Sequence, residues 1–242
     1  MIIRPIETKS EFLAYGRARN YSLNHNFKGS FEKNIAKDKS EYEFDTYDLD
    51  SFHFGSFNEG KLHACARMVN DTIGIQKFQL DEDARIRIKQ LSEDQQPANG
   101  LALQDSVNEN ESPVVEKIFY SLRKQGKSFN EIGRLIRCIK EDEKYLMSYM
   151  LCYAYAFNRF YNIDYCFFEA VKSHCPFYEQ SFHCKHVLQE IEFTPMAGGE
   201  SFCLMQATAS DLPKKMDVIV NRIVHQFNAS NKPCAVKLEE IK

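Results

Sequence analysis

Between Phe129 and Val171 the chain reads strand, helix, strand, and few topologies accommodate that succession. Phe129–Ile139 (FNEIGRLIRCI) alternates and carries β-branched residues, the mark of a strand. Glu141–Phe160 sets Tyr145, Leu146, Tyr149, Met150, Tyr153, Phe157 and Phe160 around nearly every face of a helix, so that helix is expected to be buried. Ile163–Val171 is a continuous apolar run, as for a strand covered on both faces. Strand, helix and strand predict a right-handed crossover between parallel strands. With the elements around it, a mixed sheet with helices on both faces is expected.

Upstream, Glu43–Asn70 (EFDTYDLDSFHFGSFNEGKLHACARMVN) predicts a β-hairpin. Phe52, Phe54 and Phe57 alternate into a turn at Asn58-Glu59-Gly60-Lys61, and a second alternating run leads to Arg67. Three acids, Glu43, Asp45 and Asp48, precede the first strand, so the hairpin would hold Arg67 close to them. A second charged pair, Glu131 and Arg134, lies in FNEIGRLIR. The two segments are expected to meet and form the working site.

The remaining elements are shorter. Met1–Ile6 is a first strand, and Thr8 or Ser10 caps a helix to about Leu23 with Phe12, Tyr15, Ala18 and Arg19 at helical spacing. Asn24–Tyr42 reads as a loop and a plausible lid, Asp81–Leu91 as a short helix, and polar Ser92–Ser112 as a surface loop. Pro113 opens a helix through Arg123 with Val114, Val115, Ile118, Phe119 and Leu122 on one face. A short helix at His174–His183, strands at Val187–Phe193 and Phe202–Thr208, and a last helix at Lys214–Phe227 complete one domain over residues 1–228. Residues 229–242 are expected to be a loosely held polar tail.

Composition excludes several classes. The chain has 242 residues, 43% of them hydrophobic, enough for an ordinary core. A formal charge of -3 offers no broad basic field for nucleic acid. Tyr145–Phe157, the longest greasy run, is shorter than the roughly 20 residues a bilayer span needs, and the N-terminus lacks a signal-peptide succession. A cytoplasmic protein is expected, with its eight cysteines as reduced, mostly buried thiols. His174-Cys175 and His183-Cys184-Lys185-His186 include no Cys-x-x-Cys pair, so no metal is expected.

Glu43-x-Asp45-x-x-Asp48, the hairpin to Arg67, and then Glu131-x-x-Arg134 resemble the acyl-homoserine-lactone (autoinducer) synthases and their relatives, the N-acyl amino acid synthases. Arg17, Tyr21 and Phe27 fall at the spacings where these families carry an arginine, an aromatic and a tryptophan. The resemblance spans roughly residues 10–175. It implies an α/β (α+β) fold of the Gcn5-related N-acetyltransferase type, with splayed central parallel strands around Ile136 and Phe167. It implies an acyl donor held as an acyl-phosphopantetheine thioester on acyl carrier protein, with no bound cofactor. Phenylalanine in place of tryptophan directs it to the branch whose acceptor is the amine of an amino acid or similar small metabolite. The alternative is a lactone synthase with S-adenosylmethionine as acceptor, or a non-catalytic module that kept the fold.

Acyl transfer to an amine needs a proton acceptor, an oxyanion donor and alignment of two substrates. Glu131 is the first choice for proton acceptor, with Glu43 beside it. Glu43, Asp45 and Asp48 would bind a cationic amine, and Arg67 and Arg134 would clamp a carboxylate. Arg17, Tyr21 and Phe27 would complete the substrate site. The same charges can instead simply pair with one another and fasten the hairpin to the central strand. The Gly-rich diphosphate loop of acetyl-CoA enzymes is absent; Lys140-Glu141-Asp142-Glu143-Lys144 stands there, and its acids would repel a diphosphate. Arg85, Arg87, Lys89, Arg123, Lys124, Lys127, Arg137 and Lys140 could form a basic rim for an acidic carrier protein.

Overall fold

Asn58 and Lys61 pair across a two-residue turn in which Glu59 and Gly60 take φ of 49° and 78°. Two consecutive positive φ values make the turn whose twist matches the flanking strands. It joins β2 (Phe52–Asn58) to β3 (Lys61–Asn70), as the alternation predicts. The computed structural model describes residues 1–26, 41–49, 51–71, 86, 101–103, 110–139, 144–191 and 201–241. Phe27, most of the Asn24–Tyr42 loop, all but Ile86 of the expected Asp81–Leu91 helix, and Lys140–Glu143 lie outside the described residues.

The other strands are β1 (Ile2–Pro5), β4 (Phe129–Arg137), β5 (Tyr165–Val171), β6 (Lys185–Ile191), β7 (Phe202–Thr208) and β8 (Val236–Lys237). With the hairpin they form one mixed sheet in the order β6-β7-β5-β4-β3-β2-β1-β8. The helices are α1 (Lys9–Asn26), α2 (Ser112–Lys124), α3 (Leu146–Phe160), α4 (Cys175–Phe182), α5 (Lys214–Ser230) and α6 (Leu238–Ile241). Pro113 sits in the first turn of α2, where its missing N–H is no loss.

The apolar run in α3 explains its place. Its residues Tyr149 to Asn158 are buried, with Phe157 stacked on Phe52 at 4.5 Å and Tyr153 on Phe54 at 5.1 Å. α3 and α5 cover this face of the sheet together. On the opposite face, α1 packs Phe12 and Tyr15 against Phe44, Phe57 and Cys65. Beside it, α2 packs Val115 and Phe119 against Val69, Phe129 and Phe167.

The centre of the sheet opens. β4 and β5 run parallel through Phe129–Tyr165, Asn130–Cys166 and Glu131–Phe167, where their pairing ends. Each strand stays paired on its outer side: β4 with β3 to Arg137, and β5 with β7 to Val171. The two halves of the sheet thus splay from Glu131 and Phe167 onward. A bulge marks the β3–β4 ladder, because Arg67 pairs with Gly133 and Cys65 with Ile136. Arg134 adopts φ of 57° in this bulge.

Two expectations need correcting. Leu101 and Leu103, inside the stretch read as a surface loop, are fully buried against α2 and β4, since apolar side chains in a polar stretch still seek the core. The tail expected to be loosely held extends α5 to Ser230. It then adds β8 to β1 and buries Val236, Leu238 and Ile241.

Candidate active site

Gly16 lets the acidic segment lie against α1. The Phe44 ring packs over its Cα, in space a side chain would fill, and the Glu43 N–H donates to the Gly16 carbonyl at 3.1 Å. A 3-10 turn, Thr46–Leu49, follows. The Asp45 N–H donates to Asp48 Oδ2 at 2.8 Å, and the Asp48 N–H to the Asp45 carbonyl at 3.1 Å. The turn thereby aims Asp48 inward and Asp45 outward.

Asp48 is fully buried and heavily partnered. It pairs with Arg19, takes Arg67 Nη1 at 2.9 Å and the Tyr15 hydroxyl at 3.2 Å, and lies 3.1 Å from His53 Nε2. Burial alone would raise its carboxyl. Arg19, Arg67 and His53 outweigh that and hold it well below the usual carboxylate range. Burial and the two arginines keep His53 below its ordinary value, so it is neutral and its Nε2–H donates to Asp48.

The outer acids share the same cations. Arg67 Nη1 donates to Asp45 at 2.5 Å, Arg19 pairs with Glu43 and reaches Asp45 at 3.1 Å, and Arg134 stands 3.5 Å from Asp45 and 3.7 Å from Glu43. Three carboxylates therefore face three guanidinium groups. Exposure grades across the lattice: Asp48 and Arg19 at 0%, Asp45 at 17%, Glu43 at 21% and Arg134 at 28%. The inner end is sealed scaffold. The outer end meets solvent and can bind.

Glu131 stands apart from this lattice, at the point where β4 and β5 part. Its Oε2 accepts the Leu103 N–H at 2.8 Å. Oε1 lies over Gly133, where a Cβ would come within 3.0 Å. Burial raises its carboxyl above the ordinary value, against the pull of Arg67, the Leu103 N–H and Arg134. A carboxylate whose proton affinity is raised in this way is a stronger base than an ordinary glutamate.

The expected residues divide. Glu43, Asp45, Asp48, Arg67 and Arg134 converge, and Glu131 lies within the electrostatic reach of Arg67 and Arg134. Arg17 does not join them: it is exposed and donates to Glu41 at 2.6 Å and the Tyr42 hydroxyl at 2.8 Å. Tyr21 is also on the exposed side of α1. The arginine that α1 delivers is Arg19, one turn after Tyr15, and its signal was a charged residue inside an apolar helical stripe. Tyr15 and His53 were also missed as partners. Of the expected basic rim, Arg123 is engaged by Asp71 and Lys127 by Asp164 at 2.9 Å.

A splayed parallel pair within a mixed sheet, with helices on both faces and a carboxylate at the fork, gives the chain a fold of the Gcn5-related type, shared with solved acyl synthases. Residues 104–208 match the family model of the N-acyl amino acid synthase FeeM, and that match makes the chain an enzyme of the acyltransferase class. The structure of FeeM, an N-acyl amino acid synthase from uncultured soil microbes, is similar over 87% of this chain and 92% of its own, with a TM-score of 0.57 at 12% identity. TofI, in a ternary complex with an inhibitor and MTA, is similar over 89% of this chain and all of its own (100%), with a TM-score of 0.53 at 12% identity. BjaI, a CoA-dependent acyl-homoserine lactone synthase, covers 99% of this chain and 96% of its own, with a TM-score of 0.51 at 8% identity. No curated protein matches the chain in sequence. No helix among the described residues is long and apolar enough to cross a membrane.

Proposed function

We propose that the protein transfers a fatty acyl group from the thioester of an acyl carrier protein to the amine of an amino acid or similar small metabolite. One observation carries the reading: the β4–β5 ladder stops directly after Glu131 and Phe167, beside a buried carboxyl with a raised pKa, and strands parted there would leave a slot. A thioester arm in that slot would present its carbonyl to an amine held at the open end of the acid–arginine lattice. The amine nitrogen attacks the carbonyl carbon, and its proton passes to Glu131. The carbon–sulfur bond then breaks, and the proton goes to the departing thiolate. Glu43 and Asp45 attract the ammonium form of the acceptor, which releases one proton to solvent before the free amine attacks. Arg134 is the cation open to an acceptor carboxylate, since Arg67 is committed to Asp45 and Asp48. Asp48, Arg19 and Arg67 then keep the binding groups in place.

The carrier-bound donor is favoured over coenzyme A by the sequence that follows β4, where the acids Glu141-Asp142-Glu143 would repel a diphosphate. The test incubates the purified protein with acyl carrier protein thioesters or acyl-CoA, each with an amino-acid mixture or S-adenosylmethionine, and identifies products by mass spectrometry. An N-acyl amino acid formed from the carrier thioester is expected. Glu131→Gln should lower kcat about 10²–10⁴-fold with its melting temperature kept. A lactone product would move the chain to the other branch. A folded Glu131→Gln enzyme with full turnover would remove Glu131 from the chemistry.

A further inference from the structure

Three soft ligands meet at the other end of the sheet, away from the acid–arginine lattice. Cys175 opens α4, His186 lies on β6 and Cys203 lies on β7. One ligand atom from each falls within 4.8 Å of the others. The residues come from three segments, so no Cys-x-x-Cys or His-x-x-His spacing announces them. The neighbours that looked suggestive in the sequence go elsewhere: Cys184 meets the Tyr155 hydroxyl and His183 meets Asp211.

The histidine is prepared as a ligand. Its Nε2 lies 3.0 Å from Glu179 Oε1, and its Nδ1 is buried with no hydrogen-bond partner. A carboxylate on Nε2 fixes the proton there and leaves the Nδ1 lone pair free, the arrangement by which outer carboxylates orient metal-binding imidazoles. Among the described residues the two thiols meet backbone carbonyls and each other: Cys203 Sγ the Gln189 carbonyl at 3.1 Å and Cys175 Sγ the Val171 carbonyl at 3.7 Å. We propose that Cys175, Cys203 and His186 Nδ1 form a binding site for a zinc-class d10 cation, with Glu179 as the positioning residue for His186. Two thiolates and an imidazole suit such a cation, and a water would complete a tetrahedron. Binding releases the two thiol protons to solvent. The ion would clip α4 and the edge strand β6 onto β7.

The full-length protein, reduced and stripped with a chelator, is titrated anaerobically with cobalt(II). The expected result is a thiolate-to-cobalt charge-transfer band that saturates at one equivalent and is bleached by one equivalent of zinc. Cys203→Ser should abolish that band. Glu179→Gln, a change at a largely exposed side chain, should leave the fold intact and weaken zinc binding about 10–100-fold. This variant decides the matter if the cysteine variants do not fold. The proposal is overturned if no band appears at one equivalent. It is also overturned if the full band survives in the Cys175→Ser/Cys203→Ser double variant, or if Glu179→Gln binds zinc as tightly as the parent. Zinc that fails to protect Cys175 and Cys203 from disulfide formation in air, read by peptide mass spectrometry, likewise overturns it.

Discussion

Arg17 and Arg19 lie two residues apart on α1 and do unrelated work. Arg17 makes an exposed pair, which salt screens and side-chain entropy offsets, so Arg17→Ala should leave the urea midpoint unchanged. Arg19 is sealed against Asp48 and Glu43. Arg19→Met strips a buried carboxylate of a partner and should cost about 3–5 kcal/mol in urea unfolding. Asp48 binds its proton more weakly folded than unfolded. Its contribution is therefore complete above the ordinary aspartate value of about 3.9 and is lost as pH falls toward the lower folded value. Asp48→Asn should lower stability at neutral pH and flatten its decline below about pH 4. Glu131 behaves oppositely, because burial lifts its carboxyl. The acid limb of kcat/KM should sit above the ordinary glutamate value of about 4.3 and vanish from any residual rate of Glu131→Gln.

At the scale of elements, the bulge in β4 combines a backbone demand with a charged group. Arg134 holds φ of 57°, a conformation costing a non-glycine residue on the order of 1–3 kcal/mol. Arg134→Gly should therefore be about 1 kcal/mol more stable than Arg134→Ala by chemical denaturation. Both should raise the KM for a carboxylate-bearing acceptor. Gly16 is a second such point: Gly16→Ala must push Phe44 away and with it Glu43 and Asp45, which should raise KM. The elements themselves were legible in advance. Alternation exposed the hairpin and β4, and apolar residues on every face exposed α3. The convergence of Glu43, Asp45, Asp48, Arg67 and Arg134 was also readable, because the hairpin brings Arg67 back beside the acids. Arg19 was harder, since i, i+4 spacing from Tyr15 fits core packing as well as an ion pair. Cys175, His186 and Cys203 could not be read as a group, because only the β6–β7 pairing and the fold of α4 unite them.

Across the whole molecule, the last residues close one border of the sheet. β8 covers the outer edge of β1, and Val236, Leu238 and Ile241 are buried behind it. Deleting residues 232–241 gives up roughly 1.5–3 kcal/mol for each of those side chains and bares a strand edge. The truncated chain should show a lower urea midpoint and concentration-dependent association by light scattering. The seam between β4 and β5 has a different outcome. A ladder that stops partway leaves peptide groups on each lip without a neighbour across the gap, so their protons trade with heavy water sooner than those deeper in either half. Anything threaded into the seam would slow that trade, and deuterium uptake at Ile132–Arg137 and Phe168–Val171 would report occupancy before any product forms.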